Sequence, residues 1–109
     1  MQIQNVPFCV TQWDQILPTE HPGETGISFQ RMLEMGNIRV RIVEYKPGYL
    51  ADHWCSRGHV LLVLEGELVV DLQGGPKYSL APGTSFQVAD DQEPHRVYTQ
   101  TGAKAFIVD

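Results

Sequence analysis

The stretch "ADHWCSRGHVLLVLEGE" (Ala51 to Glu67) sets His53, Cys55 and His59 just ahead of a dense apolar run. Imidazole nitrogen and thiolate sulfur are the side-chain donors that borderline transition metals prefer. On an extended strand, His53 and Cys55 would share a face, about 7 Å apart along the backbone, close enough to share an ion. His59 opens the next strand after Ser56-Arg57-Gly58, where the glycine permits a change of direction. A further histidine, His95, follows Pro94 in a distant segment. The competing interpretation is structural. Histidines at strand ends are commonly hydrogen-bonded to neighbours, and a free cysteine usually packs as a small hydrophobe.

The elements that must position these residues are strands. "IRVRIVEY" (Ile38 to Tyr45) alternates with period two, as a half-buried strand does. "ISFQRMLEM" precedes it and ends at Gly36-Asn37. "HVLLVLE" leads to Gly66 and "ELVVDL" follows, which reads as a hairpin about Glu65-Gly66. Within that second arm Leu68, Val70 and Leu72 share one face. Gly74-Gly75 signals a two-residue hairpin, and "KYSL", "TSFQVA", "HRVYT" and "AKAFIVD" complete the series. Some eight short strands with no sustained helical stripe predict an all-β sandwich or barrel over 27–109. Residues 1–26 read as an irregular arm, with a helical turn around Trp13 to Leu17 and turn chemistry from Glu20 to Gly26.

At 109 residues the chain is expected to form one domain, 1–109. Its net charge of −5 and scattered eight Lys and Arg residues argue against a nucleic-acid partner. No apolar run reaches the roughly 20 residues of a membrane-spanning helix. The first residues lack the basic-then-apolar pattern of a signal peptide. Two cysteines, Cys9 and Cys55, are too few for a secreted disulfide scaffold, so a cytoplasmic location is expected.

The chain resembles the cupin superfamily. Gly48, His53, Cys55, His59 and Gly66 fall at the spacing of the first cupin motif, which ends in "VLEGE". "LAPGTSFQVADDQEPHRVYT" is similar to the second motif, with Pro82-Gly83 as its turn and His95 as its histidine. The two motifs cover Pro47 to about Thr99. "EHPGETG", "EYKPGY" and "FIVD" further resemble the small single-domain cupins labelled by a D, H, C, W motif, although here those letters run Asp52-His53-Trp54-Cys55.

The resemblance implies a single cupin jelly-roll β-barrel (a double-stranded β-helix) whose metal ligands are His53, Cys55, His59 and His95. Cys55 stands where the motif has its second histidine, His59 where it has glutamate, and Thr99 where an asparagine often follows. Three nitrogens and a sulfur without carboxylate favour Zn, Fe, Ni or Cu over Mg and Mn. Arg57 and Arg96 are candidate forks for a substrate carboxylate at the mouth, with Tyr49 as a rim contact. Strand alternation points Arg96 outward. Asp52 and Glu93 are candidates to orient a ligand histidine, or simply solvated turn carboxylates. Two functions fit: a metal-dependent enzyme acting on a small molecule, or a non-catalytic metal- or small-molecule-binding module. Family habit adds a homodimer.

Overall fold

The computed structural model describes residues 2–109. Among them are nine strands, one 3-10 turn at Trp13–Gln15, and no α-helix. The strands are β1 (Thr19–Pro22), β2 (Ile27–Met35), β3 (Ile38–Tyr45), β4 (His59–Gly66), β5 (Leu68–Leu72), β6 (Lys77–Leu80), β7 (Ser85–Val88), β8 (His95–Tyr98) and β9 (Ala103–Val108). They form two antiparallel sheets, one ordered β1-β2-β3-β9-β4-β7 and the other β6-β5-β8. The all-β architecture expected from the strand pattern is therefore present, and its antiparallel sheets agree with the jelly roll that the resemblance implies.

Alternation decides what faces inward. Val43, Leu61, Val63, Ala105 and Ile107 of the larger sheet pack against Leu68, Val70 and Leu80 of the smaller one. On β4 the buried positions are His59, Leu61 and Val63, while Val60 and Leu64 stay exposed. The period of two that buries Leu61 and Val63 thus also turns His59 into the interior.

Two local expectations change. The segment from Thr19 to Pro22, expected to fall largely in a turn, is an edge strand paired with β2; its proline sits at the strand end, where a missing donor costs little. β4 and β5 do not form a hairpin either. β4 pairs with β9 and β7, β5 with β6 and β8, and the chain crosses between sheets at Gly66-Glu67. Gly66 makes this crossing with φ +76°, against the Gly102 carbonyl, which a Cβ would strike. Gly66→Ala should therefore lower stability by about 1–2 kcal/mol. An unchanged urea midpoint would show that the crossing tolerates a side chain.

Among the described residues, no helix is long and apolar enough to cross a membrane.

Candidate metal centre

His59 opens β4, and Gly58 sets it there. The Gly58 amide donates to Asp90 Oδ1 at 2.6 Å, and a Cβ at Gly58 would press on the backbone of Val88 to Asp90. His95 opens β8 and is paired with Cys55 in an isolated antiparallel bridge. The two residues exchange both backbone bonds, Cys55 N–H to His95 O at 2.6 Å and His95 N–H to Cys55 O at 2.9 Å. Directly opposed residues in such a pair present their side chains on one face. Three segments thereby converge, and the ligand atoms of Cys55, His59 and His95 all lie within 4.8 Å of one another.

The two imidazoles are buried, His59 at 9% exposure and His95 at 2%. Phe86 closes one side, its ring 5.5 Å from that of His59 and 5.6 Å from that of His95. Burial pushes the His95 imidazolium pKa down, further helped by nearby His59 and only partly opposed by the Glu93 carbonyl. A neutral imidazole is the form that binds metal.

Proton bookkeeping across the pair exposes a conflict. His95 Nδ1 lies 2.8 Å from the Glu93 backbone oxygen, a pure acceptor, so Nδ1 carries the proton and Nε2 a lone pair. That lone pair faces His59 Nε2 at 2.9 Å. If His59 Nε2 donates, its Nδ1 becomes a bare lone pair, buried, unpartnered and 3.7 Å from Asp109 Oδ2. If Nδ1 holds the proton toward Asp109, two lone pairs confront each other across 2.9 Å. Only a cation, proton or metal ion, resolves both arrangements. The third soft donor, Cys55 Sγ, favours a metal.

Asp109 was not legible as a site residue. Its side chain is 1% exposed and held by a two-point fork from Arg39, Nε to Oδ1 at 2.9 Å and Nη2 to Oδ2 at 2.8 Å. Arg41 Nη2 adds a longer contact at 3.3 Å. A carboxylate behind a ligand histidine fixes its ring orientation and basicity. The available signal was the spacing of Arg39 and Arg41 on one face of β3, two cations that a half-buried strand must neutralise somewhere. The partner lies some 70 residues away, brought in by the β3–β9 ladder.

His53 is not brought into this group. The reading that paired it with Cys55 needs an extended strand, whereas the chain bends at Asp52-His53. Its side chain is 74% exposed, and Nδ1 is engaged by Asp52 Oδ1 at 2.7 Å. It does line the same cavity, of about 470 Å³, as Tyr45, Tyr49, Cys55, His59 and His95. Tyr49 is therefore at the cavity, its ring 4.9 Å from that of Tyr45. Arg57 lies instead along a second groove that His59 and Asp109 also line, and its Nε is 3.9 Å from Asp109 Oδ2. Glu93 orients His95 through its backbone oxygen rather than its carboxylate. Arg96, expected to point away, is among the residues lining the cavity, and its guanidinium lies 4.5 Å from the Trp54 ring and 3.4 Å from Glu24 Oε2. Thr99 takes no part in the cluster; its hydroxyl links Glu67 O to the Gly102 amide.

The architecture can be compared with solved structures. A sugar phosphate isomerase of the cupin superfamily from Silicibacter pomeroyi superposes with TM-score 0.70, at 20% identity, over 92% of this chain and 74% of that one. The fold is that of the cupins. Ectoine synthase from P. lautus shares the cupin fold at TM-score 0.72, 20% identity, and 93% and 76% coverage of this chain and that one. FeII HppE does so at TM-score 0.73 and 16% identity, over 93% of this chain and 59% of that one. No protein-family model and no curated protein sequence matches the chain. In this cupin-fold chain the cluster comes from both ends of the motif region, Cys55 and His59 from one and His95 from the other.

Proposed function

We propose that Cys55 Sγ, His59 Nε2 and His95 Nε2 hold a divalent transition metal, Zn, Fe, Ni or Cu, and that the protein is a metal-dependent enzyme acting on a small molecule in the adjoining cavity. The observation that carries this is the pair of buried Nε2 atoms opposed at 2.9 Å with no neutral proton arrangement that satisfies both rings, beside the soft donor Cys55 Sγ. Three protein donors leave a coordination position open, and a metal there would polarise a carbonyl or activate a water.

The chain's own residues supply the rest. The Glu93 carbonyl fixes the His95 tautomer, and Asp109 faces His59 Nδ1. Phe86 keeps water from one side. A three-donor set supports catalysis over a saturated sensing site, since a fourth donor from His53 would close the open position. The cupin-fold neighbours include a synthase, an isomerase and an iron-bearing protein, which agrees with this choice. We read the chain as one cytoplasmic cupin domain, residues 1–109, with 1–26 as its arm. A homodimer through that arm is supported by its exposed Phe8, Val10 and Leu17.

Elemental analysis of protein purified without added metal tests the centre. About one transition-metal ion per chain is expected. A chain free of metal, and taking up none of Zn, Fe, Ni or Cu on incubation, would end the proposal.

A further inference from the structure

The cavity beside Cys55, His59 and His95 is lined by arginines whose fixed partners leave guanidinium donors unused. Arg39, Arg41 and Arg96 all line it. Asp109 lies behind the two arginines of β3 and spends its fork on Arg39. Asp52, the carboxylate among the lining residues, is occupied by His53.

Arg41 is left with two long contacts, 3.2 Å to Gln30 Oε1 and 3.3 Å to Asp109 Oδ2, and its buried Nε has no acceptor. Arg96 repeats the pattern. Its Nη1 is 3.4 Å from Glu24 Oε2, its face lies on Trp54, and its buried Nε has no acceptor. An arginine present only to neutralise Asp109 would be expected to bond as Arg39 does. Buried donors of a charged group are costly to leave unmade, and both arginines line one cavity. Long Nη contacts hold each guanidinium loosely, so a small pivot turns an Nε–Nη edge inward. That edge is the fork that matches carboxylate and phosphate oxygens. Tyr45 and Tyr49 line the same space, and burial raises both phenol pKa values, keeping them protonated donors. A volume of about 470 Å³ suits a small molecule.

We propose that Arg41 and Arg96 form an oxyanion pocket, so that the small molecule bound in this cavity carries a carboxylate or phosphate group held beside the Cys55–His59–His95 cluster. The proposal deepens the enzymatic reading by naming a substrate class, but the pocket is built from residues that do not need the metal.

Calorimetric titration of metal-free and zinc-loaded protein with malonate, inorganic phosphate and uncharged malonamide tests it. Malonate or phosphate should bind to both forms and malonamide to neither; the stronger of the two anions identifies the group. Arg41→Met and Arg96→Met should each weaken anion binding at least about tenfold, as expected for loss of a charge-assisted bond. Arg41→Lys, which keeps the charge and guards against misfolding of the methionine variant, should retain part of the affinity. Lys77→Gln, which does not line the cavity, should leave it unchanged. Anion binding equal to wild type in Arg96→Met and Arg41→Lys, or no anion binding to folded metal-free protein, overturns the pocket. Uptake of Zn, Fe, Ni and Cu measured on the same samples keeps the two ideas apart: anion binding with uptake of none of the four would refute the metal centre and leave the pocket standing.

Discussion

Alanine at Asp109 is expected to cost the chain about 3 kcal/mol of stability, read as a fall in the urea midpoint. Breaking a buried ion pair by removing one partner typically costs about 3–5 kcal/mol, because the other charge is left without its counter-ion. The lower end applies because Arg39 keeps 23% exposure and can recover some water. Asp109→Asn, which retains an acceptor for Arg39, should lose less. The same ion pair gives a pH signature. Burial by itself would raise the Asp109 carboxyl, but the Arg39 bonds, the His59 ring and the Arg41 charge outweigh it and hold it well below its ordinary 3.8. A carboxyl whose folded pKa is depressed adds stability that is present above its unfolded value and lost as pH falls through and below it. Wild-type stability should therefore drop below about pH 4 more steeply than that of Asp109→Ala. A variant within about 0.5 kcal/mol of wild type at pH 7 would mean the fork holds nothing together.

Zinc should raise the melting temperature of the unaltered chain and leave His95→Ala and Cys55→Ser where they were. An ion that binds the folded chain at a free concentration of 100 times its dissociation constant adds about 2.7 kcal/mol. For a domain of this size that corresponds to roughly 10–20 °C. Removing His95 deletes one of the two opposed nitrogens, and serine offers a poor ligand where Cys55 offered thiolate. His53→Ala should keep most of the shift, because that ring is solvent-exposed and already paired with Asp52. Equal shifts in all four proteins would place the zinc elsewhere.

Much of this molecule follows from local chemistry. Period-two alternation and glycine or proline punctuation mark the strands from Ile27 onward, because burial on one face of a strand repeats every second residue. The candidate donors Cys55, His59 and His95 were visible too, since few side chains bind transition metals and these stand at motif spacing. Inward placement of His59 needed only the phase set by Leu61 and Val63.

Pairing between distant segments is another matter, because nothing local in a strand names its neighbour. "HVLLVLEGELVVDL" looks like one hairpin, yet the open positive-φ backbone at Gly66 sends its halves to different sheets. A bend of two residues removes His53 from the side it would share with Cys55 on a straight strand. Asp109 faces His59 only because β9 lies between β3 and β4, and Arg96 lines the cavity with its guanidinium against Trp54 and Glu24. Composition and spacing determined which atoms were available for chemistry. The sheet order decided which of them meet, because contacts across strands depend on long-range register that no short stretch of sequence contains.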